Sequence, residues 1–578
     1  MTWSYAEIND TQNGILEGWK LMRFLLIAWS LISIWLAAPI SFAAPTRNAI
    51  ASAHPLATQA GFEILEQGGN AFDASVAVSA ALAVVEPTGS GLGGGGFWLL
   101  YRARDGKSTM LDGRERAPFS AKRDMYLDSE GHFDQNRSIN GPLAAGIPGM
   151  PAAIVYLAKH YGKLPLRTSL APAIRLAREG FRVGTHYMSL LAFRSRVMKN
   201  FPASAAIFLP KQAVSKAKFR LIQKDLAHTL EQIARHGRAG FYSGPVAKAL
   251  VHGVHNAGGI WTLRDLAEYR VLEREPVRSQ YQDIEITSAA PPSSGGVVLV
   301  EALNILSRFN LNQIDDIDRT HLVVEAMRRA YRDRARYLGD PDFVSMPIAK
   351  LISPEYAALL RLDLRVDQAG FAAPVGKSKP ETVNEGEDTT HFSILDKAGN
   401  RVAATLSINY PFGSGFVPPG TGVLLNDEMD DFVSQDKGGN IYGLVGGEAN
   451  RIEPGKRMLS SMTPTFLEDS DRVAILGTPG GSRIISMVLL AVLDFARGHP
   501  VDSWVRIPRY HHQYLPDQIQ YESEAFDSSE IESLKKRGHE LQELSRRYGN
   551  MQALLWDKRS NRVTAASDPR VEGEAMVR

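Results

Sequence analysis

The chain contains no cysteine among its 578 residues. That removes thiol nucleophiles, Cys-ligated zinc, iron–sulfur clusters and disulfides together. It leaves the compartment open, because an exported bacterial protein can dispense with cysteine. There is little excess charge either. The formal net charge is +2, which excludes a nucleic-acid binder working through bulk basicity. No G-x-S-x-G elbow and no H-E-x-x-H occurs. Internal repeats and low-complexity tracts are absent. After the first 44 residues, no run is long and apolar enough to span a membrane, which takes roughly 20 residues.

The N-terminus does contain an apolar run. In "MRFLLIAWSLISIWLAAPISFAAP", Arg23 supplies the positive end and Phe24 to Ala38 the apolar core. "SFAA" places small residues for cleavage near Ala43 or Ala44. This is the layout of a secretory signal, with an uncleaved anchor as the alternative. Residues 1 to 21 are unusually polar for a leading end, so Met22 is an alternative start. Residues 1–44 are set aside as a signal segment, and the product is expected to be periplasmic or secreted.

The composition of the remainder, 44% hydrophobic and 22% charged for the whole chain, is that of a globular protein. "GFEILEQGGNAFDASVAVSAALAVVEP" (61–87) reads as two helices parted at Gly-Gly-Asn. "GFWLLYRARDGKSTMLDGRERAP" (96–118) reads as two strands joined at Asp105-Gly106. From about 150 to 270 the pattern is mostly helical. "RTHLVVEAMRRAYRDRARYLGD" (319–340) predicts an amphipathic helix with an arginine-rich outer face. Residues 371–388 are polar, carry Pro and Gly, and form the best linker candidate. "HFSILD" and "RVAATLSIN" follow as strands flanking Lys397 to Asn400. "RVAILGTPGG" (472–481) is a strand entering a glycine turn, and 482–496 a buried helix. Helices outside strand pairs predict a layered helix–sheet–sheet–helix α/β domain.

Two motifs suggest sites they do not support. "GSGLGG" (89–94) fits G-x-G-x-x-G, but a helix precedes it and a strand follows. A dinucleotide fingerprint needs the reverse. Its glycines are better read as allowing close backbone packing. His511 and His512 are adjacent, so on a strand they face opposite ways; a structural or surface role is expected. No metal or cofactor constellation appears.

Hydroxyl chemistry remains. A threonine hydroxyl is a poor nucleophile without a neighbouring base. If the chain were cut before Thr389 in "GEDTTHFS" (386–393), the new α-amine could be that base. Its pKa of about 7.7–8.0 keeps a good fraction neutral. The glycine turn "TPGG" (478–481) offers Gly480 and Gly481 N–H groups as an oxyanion hole. These readings name candidates without fixing their geometry.

The stretch "DTTHFSILDKAGNRVAATLSINYPFGSGFVPPGTGVLLNDEMDDF" resembles the small-subunit start of the γ-glutamyltranspeptidases, which are N-terminal nucleophile hydrolases. The likeness continues in "YGLVGGEANRIEPGKRMLSSMTPTF", "GTPGGSRII" and "PRYHHQYLPD". Earlier it is carried by "EPTGSGLGGGGFWLLY", "LDGRERAP", "PPSSGG" and "YRDRARYLGDPDF". It runs from about Ala44 to about residue 560. The resemblance implies a four-layer αββα fold formed jointly by two autoprocessed subunits, 45–388 (ending in the 371–388 linker) and 389–578, which stay together as a heterodimer. It implies cleavage between Asp388 and Thr389, with Thr389 then forming an acyl-enzyme. The γ-glutamyl group of glutathione or a related compound would pass to water or to an amino-acid or peptide acceptor, with no cofactor.

The same resemblance assigns residues. Arg114 would grip the substrate α-carboxylate, which suits a planar guanidinium. Asn409, Glu428 and Asp431 would hold the amino-acid end, acids facing the α-ammonium. Ser460 and Ser461 would bond the carboxylate, Gly480 and Gly481 would form the oxyanion hole, and Tyr442 would sit at the tip of a lid segment. Ser407 stands where the best-known members carry Thr as the partner of the nucleophile's amine. It keeps the hydroxyl and loses the methyl that restricts its rotamer. Glu428 is Gln in other members. Arg116 replaces a usually small or apolar residue, with an expected effect on acceptor access. A glutaryl-type β-lactam acylase of the same fold is the alternative, and a substrate without an α-ammonium would leave Glu428 and Asp431 less to bind. A binding protein that merely retains the fold would be expected to have lost the nucleophile or the glycine turn, and both are present.

Export with cleavage at "SFAA" leaves a mature N-terminus near Ala44 or Pro45. Mass spectrometry of the soluble protein tests this, and residues 22–40 on that product would reject it.

Overall fold

Alternation of apolar residues in the strands builds two cores, one on each face of a seven-stranded sheet. In the computed structural model, which describes residues 44–209, 219–371, 389–433 and 439–578, this sheet is antiparallel throughout. Its order is Glu574–Val577, Ala49–Ser52, Thr390–Leu395, Arg401–Ser407, Gly95–Arg102, Lys107–Gly113 and Leu272–Arg274. Phe392, Ile394, Val402, Ala404, Leu406, Trp98 and Leu100 point into one core, while Leu395, Ala403, Phe97 and Leu99 point into the other. That is the period-two pattern of a sheet buried on both faces.

A six-stranded antiparallel sheet packs on the second face. Its order is Arg562–Ser567, Gln552–Asp557, Arg472–Gly477, Thr465–Glu468, Ile284–Ser288 and Val277–Tyr281. Helices cover both outer surfaces. Pro55–Glu66, Ala71–Val85, Met150–His160 and Leu166–Glu179 share the core of the first sheet, and Gly295–Leu306, Asp316–Tyr337 and Ile484–Ala496 that of the second. The αββα layering predicted from the sequence is therefore present, and Pro45–Arg578 forms one compact unit. Among the described residues, no helix is long and apolar enough to cross a membrane. The signal core, all of the linker after Phe371, and Asp388 lie outside the described residues.

Local signals explain the elements. Asn70 and Asp73 form a reciprocal capping box that starts the Ala71–Val85 helix, all of whose residues are buried. Gly106, at φ +66°, turns the Gly95–Gly113 hairpin. Asp315 accepts the Asp318 N–H and caps the Asp316–Tyr337 helix. The expected arginine-rich outer face of that helix holds only in part: Arg336 is exposed and Arg319 and Arg332 are half-buried. Arg328, Arg329 and Arg334 are all buried. Arg328 pairs with Glu325 and Asp517, and Arg329 with Glu325 and Asp363. Partners contributed from elsewhere in the fold overrode the local polarity.

The "GSGLGG" glycines serve close packing. A Cβ on Gly93 would lie 2.0 Å from the Leu424 carbonyl oxygen, and one on Gly94 2.1 Å from that of Ser407. His511 and His512 are fully buried and hydrogen-bonded, to Ser486 and Gln513 and to Asp517 respectively. Their role is structural.

Glu301 is 1% exposed on the Gly295–Leu306 helix. Burial, then the neighbouring Asp333 charge, pushes its carboxyl well above the usual range. The native state thus holds a proton that the unfolded chain releases above its ordinary value of about 4.3. Stability falls as pH rises through the window between those two values. Glu301→Gln should fold and show a flatter decline in Tm from pH 5 to pH 9. A steeper decline than wild type would overturn this.

Candidate active site

The ladder register determines which side chains meet Thr389. Thr390 pairs with Leu406 and His391 with Thr405, so Thr389 lies opposite Ser407 at the strand ends. Odd-numbered residues of both strands share the face between the sheets. Thr389 Oγ and Ser407 Oγ are 3.2 Å apart, and His391 Nδ1 lies 2.8 Å from Thr405 Oγ. His391 also contacts Ser393 Oγ at 3.2 Å, and Ser393 Oγ donates to the Gln552 carbonyl of the other sheet at 3.0 Å. Burial lowers the His391 pKa to about 3, so its ring is neutral and acts as a spacer.

Thr389 has φ +152°, a backbone conformation that strains a β-branched residue. The turn after the Ala71–Val85 helix presses against it. A Cβ on Gly89 would lie 2.9 Å from the Thr389 carbonyl oxygen. Ser407 Oγ accepts the Asn409 N–H at 2.8 Å and so still has a proton to donate.

A narrow cleft opens beside this pair, lined in part by Arg114, Thr389, Ser407, Asn409, Glu428 and Asp431. Tyr442, Ser460, Ser461 and Gly481 complete the predicted set around it. Among the described residues, every predicted site residue except Gly480 therefore reaches this one cleft. Gly480, at φ +135°, precedes Gly481, at φ +54°, in the turn that opens the Ile484–Ala496 helix. A Cβ on Gly481 would meet the Tyr442 ring at 2.7 Å. Tyr442 is buried, and its hydroxyl donates to the Asn409 carbonyl at 2.8 Å. Asn409 donates to the Asp427 carbonyl at 3.2 Å. Asn440 ties Asp431 to the Tyr442 segment, donating to the Asp431 carboxylate at 2.7 Å and accepting the Tyr442 N–H at 3.0 Å.

Arg114 is 1% exposed and already holds two acids. Its Nη1 donates to Glu428 and its Nη2 to Asp431, each at 2.5 Å. Glu115, fully buried, lies 3.4 Å from the same Nη1. Burial acts against the guanidinium, but Glu428, Glu115 and Asp431 outweigh it and raise its pKa. Burial pushes Glu428 up to about 7 against the pull of Arg114. Burial, then repulsion from Glu428, pushes Glu115 well up. Sequence reasoning placed Glu428 and Asp431 against a ligand cation and did not foresee this internal pairing, nor Glu115.

Arg116 is corrected. It donates to the Glu268 and Asp265 carbonyls and stacks over Phe119, away from the cavity. Arg334 was not anticipated: it donates to Ser461 Oγ at 3.2 Å. Its spacing from Met327, Ala330 and Tyr331 on the buried face of its helix was the available signal.

Elsewhere, His321, Glu325 and His539 bring three ligand-type atoms within 4.8 Å of one another. Both Glu325 oxygens already accept from Arg328, Arg329 and the Gly370 N–H, and the two rings bond each other at 2.8 Å. The trio is thus largely engaged by its own bonds, with His539 Nδ1 left unpartnered among the described residues.

The arrangement can present a hydroxyl nucleophile beside a glycine turn and recognise a ligand bearing both a cation and an anion. Comparison with known proteins agrees. The gamma-glutamyltranspeptidase family matches residues 57–578. A glutathione hydrolase proenzyme of Pseudomonas sp. (strain A14) is 42% identical over 497 residues, 85% of this chain and 86% of its own. One from Escherichia coli (strain K12) is 40% identical over 528 residues, 90% of each. Among solved structures, a cephalosporin acylase from Bacillus halodurans has a TM-score of 0.80 at 30% identity, covering 92% of this chain and 96% of that one. Helicobacter pylori gamma-glutamyltranspeptidase has a TM-score of 0.54 at 39% identity, covering 55% of this chain and 92% of that one.

Proposed function

Because the chain belongs to the gamma-glutamyltranspeptidase family, whose members are N-terminal nucleophile hydrolases acting on γ-glutamyl compounds, we propose that Thr389 is both its self-cleaving residue and its catalytic nucleophile. The protein is a γ-glutamyl hydrolase/transferase. The observation that carries the assignment to Thr389 is the contact of its hydroxyl with Ser407 at the edge of a cavity that holds both an arginine and acids.

Maturation begins with attack of Thr389 Oγ on the Asp388 carbonyl carbon. The acyl group passes from nitrogen to oxygen, and water hydrolyses the ester, leaving a carboxylate on Asp388 and a free amine on Thr389. The strained φ of Thr389 ceases to exist once that bond is cut, which favours the step. The products are a large subunit, 45–388, and a small one, 389–578, held together as a heterodimer.

In catalysis the Thr389 amine takes the hydroxyl proton as Oγ attacks the γ-carbonyl of the donor. The N–H groups of Gly480 and Gly481 receive the oxyanion. The departing amine takes the proton, and water or an acceptor amine then resolves the acyl-enzyme. Ser407 orients the Thr389 amine and hydroxyl. Arg114, Ser460 and Ser461 take the donor α-carboxylate; Glu428, Asp431 and Asn409 take the α-ammonium, and Tyr442 closes the site. Glutathione is the proposed donor and amino acids or peptides the acceptors, with the Met22–Ala44 segment directing export. The acylase alternative is the weaker fit, because a glutaryl carboxylate would compete with Glu428 and Asp431 for Arg114 without bringing an ammonium in exchange. Direct competition between γ-glutamyl-p-nitroanilide and a glutaryl amide separates the two.

Glu428, pushed up to about 7, must be ionised to pair with an ammonium. KM for a γ-glutamyl donor should therefore rise as pH falls below about 7, and Glu428→Gln should flatten that dependence. A wild-type KM constant from pH 5.5 to 8.5 would remove Glu428 from the subsite.

Thr389→Ala should give one uncut, inactive chain. Thr389→Ser should mature and turn over more slowly, and Thr390→Ala should still be cut. A denaturing gel with N-terminal sequencing of the smaller band reads all three. A cut Thr389→Ala protein, or a wild-type small chain beginning at Thr390, would show the mechanism to be wrong.

A further inference from the structure

The two serines assigned to the donor carboxylate are hydrogen-bonded in a way that leaves their protons free. Ser460 Oγ accepts the Met462 N–H at 3.1 Å, and Ser461 Oγ accepts Arg334 Nη2 at 3.2 Å. A hydroxyl that accepts an N–H keeps its own O–H to donate. Both side chains line the same cavity as Thr389, so their remaining donors can converge on an anion there.

Arg334 connects to both. Its Nε donates to Ser294 Oγ at 3.0 Å, and Ser294 Oγ donates in turn to the Ser460 carbonyl at 2.7 Å. The Ser294 N–H bonds that carbonyl as well, at 2.8 Å. One edge of a planar guanidinium thus sets the Ser461 hydroxyl directly and the Ser460 backbone through one intermediary. A lysine ammonium lacks the rigid fork that makes both contacts at once.

The charge balance points the same way. Arg334 is 5% exposed, and among the described residues its side chain bonds only hydroxyls. Arg114 is shared among Glu428, Asp431 and Glu115. The attraction of Arg334 to Asp431 is shared with Arg114, so a buried cation bonded to hydroxyls still gains when a ligand anion reaches it.

We propose that Arg334 is a positioning residue for the donor α-carboxylate, orienting Ser461 directly and Ser460 through Ser294 while adding a second positive charge behind them. The inference rests on the γ-glutamyl reading of the site. It assigns part of carboxylate recognition to the 45–388 segment, although both serines lie after the cleavage point.

The test uses the mature heterodimer with γ-glutamyl-p-nitroanilide. Arg334→Gln should raise KM at least about tenfold and leave kcat within about threefold, the signature of lost ground-state binding. Arg334→Lys should fall between Gln and wild type. Adding Ser461→Ala to Arg334→Gln should cost much less than the product of the two single effects, because both act through one hydroxyl. Inhibition by L-glutamate, which carries the α-carboxylate, should weaken in parallel with KM. A loss confined to kcat, full additivity with Ser461→Ala, or an unchanged KM would each overturn the proposal. If Arg334→Gln does not mature, Ser294→Ala provides the second arm. It keeps the cation and removes the Nε partner, and it should raise KM by a smaller factor with kcat preserved; no change would count against the inference. Wild-type protein unable to turn over the anilide would refute the γ-glutamyl reading itself, which is a separate result.

Discussion

The pairing of Thr390–Leu395 with Arg401–Ser407 in one register is the constraint on which the site depends. A slip of one residue would turn every side chain to the opposite face. Thr389 and His391 would then face the helix layer, and Phe392 and Ile394 would displace the polar His391–Ser393–Thr405 cluster between the sheets. The apolar set Phe392, Ile394, Val402, Ala404 and Leu406 opposes this, because it fills the core under the helices, whereas the other face of the same strands carries the hydrogen-bonded Thr389, His391, Ser393, Thr405 and Ser407. The turn through Asp396 to Asn400 adds a second lock. Asp396 accepts the Ala398 and Asn400 N–H groups at 2.9 and 3.0 Å, and the Ala71 N–H at 2.9 Å. The packing that stabilises the domain therefore also aims Thr389, the proposed nucleophile.

The recognition end of the cavity is an electrostatic compromise. One guanidinium sits among three carboxyls, Glu115 and Glu428 fully buried and Asp431 partly so. Such a cluster is tolerable only if its geometry is good and part of its negative charge is titrated away. Burial does both here. It raises Glu115 and Glu428, and it tightens the contacts to Arg114. On the proposed reading, a zwitterionic donor would replace this internal pairing, giving its ammonium to the acids and its carboxylate to Arg114 and the serines. The internal ion pairs of the site thus mirror the charge pattern that the proposed donor would bring.

Local features were legible in the sequence. The Asp105-Gly106 hairpin, the helix break at Gly68–Asn70, the strands around Lys397–Asn400 and the glycine turn before Ile484 all appear where turn chemistry and periodicity place them. The cavity residues came from the family resemblance, because no local pattern brings Arg114 to Asp431. Polarity was the misleading signal. In the Asp316–Tyr337 helix, arginines read as solvated turned inward, because acids distant in sequence, such as Asp517 and Asp363, were there to meet them. Arg116 failed for the opposite reason: backbone carbonyls at Asp265 and Glu268 offered it a nearer partner than the cavity did.

The order of the seven-stranded sheet bears on what a cut before Thr389 would leave. Glu574–Val577 and Thr390–Leu395, from one product, flank Ala49–Ser52 from the other, and Arg401–Ser407 bonds directly to Gly95–Arg102. The six-stranded sheet is joined across the cut as well, where Ile284–Ser288 pairs with Thr465–Glu468. Two polypeptides threaded in this way share their cores and have no flat interface between them. Dilution would not set their association as it does for an ordinary dimer, since parting them means breaking interior ladders. The pair would melt as one cooperative body.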